Sequence, residues 1–404
     1  MRRGMHELSQ RAAAATSALR GSQAATMAPR AANCRPVGAS AFSASIARPV
    51  AQKPSASVMS ARTFATSEPR GVFELAAAIK AKETSTGDCI EAINGIQIRA
   101  VDSLGKERQA LEIIESDALS ALVELLRDSD TIAASALLVP AFLALIRLST
   151  EPTVVQELVR LDAPLVVARF LTLSEPDPRL QIAACLTLGN VALEASAATA
   201  VAVPETVGSP HEAIQTAAVT CLSNIAGSTR GREQLLDPDT ISTLSDLLQD
   251  NHSDALQSAA AFAIGNILAG HDIEAQDHLR EIGALGQLVL LLSPAFPEDT
   301  SSSAAWAIHH GAHLNHESQS QVAAAGGLAL LVGHLSAATE TLQTNALLAL
   351  ESVVASHEAN QDWCRAANDG AALDELRRVR RDDGEELNAS AKHALDALLE
   401  QLEQ

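Results

Sequence analysis

An all-α solenoid of stacked helical repeats is the fold class this sequence predicts, and three observations predict it. First, a short motif returns on a fixed beat. Leu186-Thr187-Leu188-Gly189-Asn190-Val191, Cys221-Leu222-Ser223-Asn224-Ile225 and Ala263-Ile264-Gly265-Asn266-Ile267 line up, and later copies put His310 and Ser352 where the Asn stands. From Asn224 onward the steps are 42, 44 and 42 residues. Second, Gly283-Ala284, Gly326-Gly327 and Gly370-Ala371 keep the same beat, at 43 and 44 residues. Third, 47% of the 404 residues are apolar but only 2% are aromatic, with no Tyr, so the core is built from Ala, Leu, Val and Ile. Small side chains let helix axes approach closely, whereas a sandwich or barrel draws more on β-branched and aromatic residues. A period of this size, filled with helix formers, makes a long surface rather than a pocket the functional unit.

The amino-terminal head differs from the rest. Residues 1–66 hold nine Lys/Arg and one acid, Glu7; the remainder holds 20 basic and 48 acidic residues, a net of −28 within a total of −20. Arg2, Arg3, Arg11, Arg20, Arg30, Arg35, Arg48, Lys53 and Arg62 lie among Ala and Ser, the composition of an organellar transit peptide. Arg62-Thr63-Phe64-Ala65 has the form of a mitochondrial processing site, which places cleavage after Phe64 and the mature protein in mitochondria, in the matrix. A chloroplast or cytoplasmic location is the alternative. The acidic body argues against nucleic-acid binding, which needs Lys and Arg against phosphate, and allows a basic protein partner.

Residues 65–106 read as a linker with N-terminal capping helices. Gly71 to Lys82 forms one helix, Glu83 to Asp88 breaks it, and Asp88 or Thr86 caps the next. From Glu107 to the carboxyl terminus the repeats are regular. Ala118, Leu119, Leu122, Leu125 and Leu126 recur at helical spacing. Thr131 to Ile146 is uncharged for 16 residues, too short to cross a bilayer at the ~20 residues needed, and is read as a buried helix pair. No transmembrane segment is expected. One repeat is legible in full: a helix from Ala255 to Leu268, a short helix from Ile273 to Glu281, a tight turn at Gly283, and a third helix from Ala284 to Leu292, stopped by Ser293-Pro294. One repeat is short, with 34 residues from Asn190 to Asn224; residues 195–211, with Pro204, Gly208 and Pro210, are read as a local irregularity rather than a domain boundary.

The segments Ala260-Ala261-Phe262-Ala263-Ile264-Gly265-Asn266-Ile267, Ala304-Ala305-Trp306-Ala307-Ile308, Gly283-Ala284-Leu285 and Gly370-Ala371-Ala372-Leu373 resemble armadillo repeats. The resemblance covers residues 107–404 and implies a right-handed superhelix of six to seven repeats with an atypical cap at Glu385–Gln404. Armadillo proteins that bind extended peptides line a groove with a Trp and an Asn one turn apart, and an Asn amide can grip a peptide backbone at both N–H and C=O. Phe262/Asn266 and Trp306/His310 keep that spacing; Asn224 and Asn190 follow Thr220 and Leu186 instead. The resemblance therefore implies a partner-binding groove of Asn190, Asn224, Phe262, Asn266, Trp306 and His310. The competing reading of each Asn is a helix-end hydrogen bond.

Other constellations point to chemistry less directly. His309, His310, His313 and His316 crowd one helix and its end, and three of these imidazoles fall near one face. The helix lacks the Glu of a zinc-protease motif. His-acid pairs at His211-Glu212, His316-Glu317 and His357-Glu358 resemble those of deoxyhypusine hydroxylase, a HEAT-repeat di-iron enzyme, although they are not equally phased. No metal site and no cofactor are expected. Arg377-Arg378-Val379-Arg380-Arg381 is the one dense basic run of the body and reads as a solvated last helical turn, or as a site for an acidic partner. The five Cys form no Cys-x-x-Cys pair, and Cys185 and Cys221 read as small core residues. No phosphate loop, nucleophile elbow or catalytic triad is present. The expected function is a non-catalytic protein-interaction scaffold or adaptor in mitochondria, holding a basic or extended partner segment on its concave face. Ala183-Ala184-Cys185-Leu186-Thr187-Leu188-Gly189-Asn190-Val191-Ala192 resembles repeats of GDP-dissociation stimulators, so a regulator of a small GTPase is the alternative, followed by a His-metal enzyme.

Overall fold

The computed structural model describes residues 71–403 apart from 82–83, 103–106, 129–134, 172–176, 192–205, 367–369 and 383–386. The transit segment 1–64, most of the irregular segment 195–211 and the start of the expected cap at Glu385 lie outside the described residues. Every described element is a helix. The chain divides into two compact units between Ala195 and Ser196, inside the segment read as an irregularity.

The first unit holds α1 (Val72–Lys80), α2 (Thr86–Asp102), α3 (Glu107–Glu115), α4 (Ala118–Arg127), α5 (Ser135–Leu148), α6 (Pro152–Arg160), α7 (Ala163–Ala168) and α8 (Pro178–Val191). The cap of α2 is Ser85, not Thr86 or Asp88. Its hydroxyl accepts from the Asp88 N–H at 3.2 Å and donates to the Asp88 carboxylate at 2.7 Å, an N-cap that holds the acid at the positive helix end. The long helices α2, α5 and α8 pack in sequence, so the stack begins before Glu107. The helix pair expected over 131–146 is a single helix, α5, running through Pro140. Proline removes one intrahelical hydrogen bond, but Leu138, Ala141, Phe142, Ala144 and Leu145 bury the surrounding turns. Phe142 meets Phe170 edge-on, with centroids 5.1 Å apart. No described helix is long and apolar enough to cross a membrane.

The second unit repeats a long, a short and a middle helix. It runs α9 (Glu212–Ile225), α10 (Thr229–Leu235), α11 (Pro238–Asp246), α12 (Asp254–Leu268), α13 (Ile273–Glu281), α14 (Ala284–Leu291), α15 (Glu298–Ala312), α16 (His316–Ala324), α17 (Gly327–Gly333), α18 (Glu340–Val354), α19 (Glu358–Ala366), α20 (Ala371–Asp382) and α21 (Ala389–Glu403). The repeat read from Ser253 onward is recovered almost residue for residue in α12 to α14. Ser253 and Asp272 cap α12 and α13 by accepting from the Leu256 and Ala275 N–H groups. Gly283, Gly326 and Gly370 take left-handed φ values of 79°, 86° and 90°, as a turn directly into the next helix demands. In the first unit Asp117 and Asp162 hold the equivalent turns at 61° and 56°; Asp tolerates this region better than most residues, which hides these hinges from a search for Gly.

The long helices α9, α12, α15, α18 and α21 lie side by side in that order. Their contacts use small residues. Ala260, Ala261 and Ala263 of α12, Ala304, Ala305 and Ala307 of α15, and Ala346 and Ala349 of α18 are all fully buried. Polar side chains then tie neighbouring elements on the repeat beat. Gln181, Gln215, Gln257 and Gln343, with Ser301 between the last two, each donate to a carbonyl at the end of the preceding helix or turn. Gln276 and Gln319 do the same one layer over, donating to the His310 and His313 carbonyls and to the Ser352 and Ala355 carbonyls. These satisfy carbonyls that a helix leaves open at its carboxyl end. Gln319→Ala, at a site 1% exposed, is expected to cost about 2 kcal/mol by leaving those carbonyls unpaired; an unchanged urea midpoint would rule out this role.

Candidate functional site

The long helices of the second unit carry five of the six expected groove residues, and the structure treats them differently. Asn224 is exposed on α9, and Phe262 stands 44% exposed on α12. Asn266 is half-buried and its amide is committed. Its Nδ2 donates to the Ser223 carbonyl at 3.2 Å and to the Ser223 hydroxyl at 2.9 Å, and its Oδ1 accepts from Trp306 Nε1 at 2.9 Å. Asn and Trp therefore meet across two repeats rather than one turn apart in a single helix. His310 is buried, at 6% exposure, behind the Trp306 ring, which it meets edge-on at 4.3 Å. Asn190 belongs to the first unit, where it donates to the Ile146 carbonyl and Ser149 hydroxyl, both at 3.0 Å. Asn190 and Asn266 thus use their amides as cross-repeat hydrogen-bond donors, while Asn224 and Phe262 stay open to a partner.

Gly265 explains the spacing. A Cβ there would lie 2.4 Å from Trp306 Cδ1 and 2.9 Å from its Nε1, so the indole packs where a side chain would be. The Ile-Gly-Asn stretch is a seat for the next repeat's Trp. A ladder of such ties continues along the layer: Ser258 to Ser303 at 3.0 Å, Asn345 to the Ser302 carbonyl at 3.1 Å, and Asn388 to Thr344 at 2.8 Å.

Charge is ordered on the same beat. Glu212, Asp254, Glu298 with Asp299, and Glu340 occupy the first turns of α9, α12, α15 and α18, all exposed. They form an acidic row along one edge of the layer, where each also favours its helix dipole. The basic run is neutralised within the chain. Arg377 pairs with Asp374 and Glu403, Arg378 with Glu375 and Asp382, Arg380 with Asp396, and Arg381 with Asp382. The Arg378 guanidinium holds the Glu375 carboxyl below its ordinary range. The run therefore bonds its own acids, as the solvated last turn does, rather than presenting bare cations.

The histidines assemble in a way the sequence only half discloses. His309, His310 and His313 come together, His316 does not join them, and His271 arrives from the turn after α12. His316 instead stacks near His357, at 5.6 Å. His309 Nδ1 lies 3.0 Å from the Leu348 carbonyl and 2.6 Å from the Ser352 hydroxyl. The Leu348 carbonyl can only accept, which favours a proton on Nδ1, while the Ser352 hydroxyl can donate to or accept from the same nitrogen. Burial pushes the His309 pKa down to about 4 and the His310 pKa to about 2. As the rings stand, no three His, Cys, Asp or Glu side chains among the described residues are placed to hold a metal. Cys89, Cys185, Cys221 and Cys364 are all buried, and burial lifts the Cys185 and Cys364 thiols to about 12, so these two are inert as nucleophiles. A cleft of about 410 Å³ is lined by Leu292, Pro294, Phe296 and His334. Its lining also holds Glu298, Ser301 and Ser336; the His334 ring is engaged by the Leu292 carbonyl at 2.7 Å, the Ser301 hydroxyl donates to the Leu291 carbonyl at 2.9 Å, and the Ser336 hydroxyl donates to the Glu375 carboxylate.

Comparison with known proteins follows this geometry. A family model of HEAT repeats matches residues 166–265. The crystal structure of an engineered protein superposes with a TM-score of 0.60 at 20% identity, over 82% of this chain and 89% of that one. The fold is an armadillo-type helical-repeat solenoid. Two designed armadillo-repeat proteins, one of them solved in complex with a peptide (KR)4, match this solenoid at 24% and 23% identity, with TM-scores of 0.41 and 0.43 over 70% of the chain and 99% of theirs. No curated protein matches.

Proposed function

We propose that this solenoid is a non-catalytic scaffold or adaptor in mitochondria, delivered by residues 1–64 as a transit peptide and binding a basic, extended segment of a protein partner on the open side of its long helices. Solenoids of this type serve typically as protein-binding scaffolds. The observation that carries the reading is the pairing of Phe262, an aromatic 44% exposed on α12 in a chain with only 2% aromatic residues, with the acidic row at the amino ends of α12 and its neighbouring long helices. An apolar anchor beside ordered charge of one sign suits a segment that alternates apolar and basic residues. Asn224 supplies an exposed amide on the neighbouring long helix α9.

The test is affinity capture of the tagged full-length protein from isolated mitochondria, wild type against Phe262→Asp. A stoichiometric partner recovered with wild type and reduced about tenfold or more with the variant is expected, as for loss of a central aromatic anchor. A partner retained equally by Phe262→Asp would remove the site. A GTPase retained only in one nucleotide state would replace the scaffold with the regulator. Absence of the protein from mitochondria would refute the transit reading.

A further inference from the structure

The side chains that tie each long helix to the turn before it form a ladder with one short rung. Gln257, Ser301 and Gln343 hold the same place in α12, α15 and α18, and donate to the Leu248, Leu291 and Leu335 carbonyls. Ser301 does so with a side chain much shorter than Gln, and the cleft of about 410 Å³ opens beside it. Leu292, Pro294, Phe296 and Leu330 give the cleft apolar walls. The turn that builds it is Pro294-Ala295-Phe296-Pro297, where the preceding repeat has Gln249-Asp250-Asn251-His252. This turn is shaped in advance: the Phe296 N–H donates to the Ser293 carbonyl at 3.0 Å, and each Pro fixes one backbone angle. His334, Ser301 and Ser336 bond within the fold, whereas Glu298 does not. Its carboxylate is exposed in the first turn of α15, belongs to the acidic row, and makes no hydrogen bond or ion pair among the described residues.

We propose that this cleft is a docking site for one bulky apolar side chain of the basic partner segment, with a Lys or Arg two residues along that segment seated on Glu298. The proposal takes its partner from the scaffold reading and gives that partner an anchor point other than Phe262. The volume lies within the range of about 300–1,000 Å³ typical of ligand sites. In an extended segment, side chains two residues apart share a face at a spacing of ~6–7 Å, so one face of the segment offers both the apolar group and the cation. Asp299 and Glu340 of the same row add charge of the same sign, which attracts a basic segment and repels an acidic one. A cleft whose walls are already in place loses little freedom when it is filled. Apolar walls beside one unpaired carboxylate therefore select an apolar residue followed at the second place by a base. A segment that is basic throughout leaves the walls without a partner.

The experiment titrates the full chain into a fluorescein-labelled peptide, Ser-Arg-Ser-Phe-Ser-Arg-Ser, and follows its anisotropy. The control peptide has Ser in place of Phe. Saturable binding is expected for the Phe peptide, about tenfold or more tighter than for the control. Ser301→Gln restores the long rung found at Gln257 and Gln343 and puts its side chain into the cleft, so it should bring the Phe peptide down to the level of the control. Glu298→Lys changes an exposed, unpaired side chain, so it should fold, and should weaken both peptides by about threefold or more. Thermal unfolding of each variant checks the fold. Equal affinity for the two peptides, absence of binding included, would overturn the cleft. So would a folded Ser301→Gln or Glu298→Lys that binds the Phe peptide as wild type does. Binding kept by Ser301→Gln but lost by Phe262→Asp would also overturn it; the apolar anchor would then lie on the long helices, and the scaffold reading would stand.

Discussion

Gly265→Ala is expected to destabilise the second unit and move Trp306, although Ala is the better helix former. In an open helix the exchange gains up to about 1 kcal/mol. Here the new methyl would stand 2.4 Å from Trp306 Cδ1 and 3.1 Å from the Ala307 nitrogen. The indole must leave its seat, and its 2.9 Å hydrogen bond to Asn266 is lost with it. Overpacking of this kind costs about 1–3 kcal/mol, and the orphaned polar atoms add roughly another 1 kcal/mol, so the net is a loss of about 1–3 kcal/mol. Trp363 is the only other tryptophan. In a Trp363→Phe background, fluorescence reports Trp306 alone, and both the urea midpoint and the starting emission should change. Gly286→Ala is the internal contrast. It also lies within a helix, but its Cβ would meet nothing within 4 Å, so it should leave stability unchanged or raise it. Two Gly→Ala exchanges of the same sign would mean that the seat for Trp306 does not constrain the stack.

This contrast also marks what the sequence discloses. The beat, the helix bounds from Ser253 to Leu292 and the left-handed turns at Gly283, Gly326 and Gly370 were legible because each rests on local chemistry: caps, period and positive φ. The groove was less legible because its logic lies between repeats. Nothing in the stretch around Asn266 says that its amide will be consumed by Ser223 of the preceding repeat and Trp306 of the next. The offsets of 43 and 40 residues are visible only once the period is laid out as a stack. The Gln ladder carries the same period, from Gln215 to Gln257 and through Ser301 to Gln343, and aligning polar residues as well as Asn and Gly would have found it. His271 escaped because it belongs to the previous repeat, and its side chain is brought to the cluster by a left-handed turn, φ 56°, that the sequence pattern does not mark with Gly.

Acid should weaken the same helix end, and the sign follows from the histidines. His309 and His310 have folded pKa values near 4 and 2, both pushed down first by burial, against 6.5 when unperturbed. The groups that act on His310 are His309, His271, His313 and Arg232; all are cationic when protonated, and none is a carboxylate. Below pH 6.5 the unfolded chain therefore binds protons that the folded chain refuses. Their contribution to stability is complete above pH 6.5 and is lost as pH falls toward 4, at about 1.4 kcal/mol per pH unit for each histidine. By pH 5 the two remove roughly 4 kcal/mol, an upper figure because the acidic body also sheds like-charge repulsion over the same interval. Glu375, whose pKa is lowered by Arg378, loses its contribution only below its ordinary value of 4.5, which leaves pH 7 to 5 to the histidines. Urea unfolding across that window, in EDTA and followed by Trp306 fluorescence, should show a midpoint that falls steadily with pH. His310→Gln should fall less steeply, by about 1.4 kcal/mol per pH unit, because one of the three imidazoles whose pKa burial lowers, His271, His309 and His310, is gone. Parallel slopes for the two proteins would place the acid sensitivity elsewhere and show that His310 takes up its proton in the fold as readily as in the open chain.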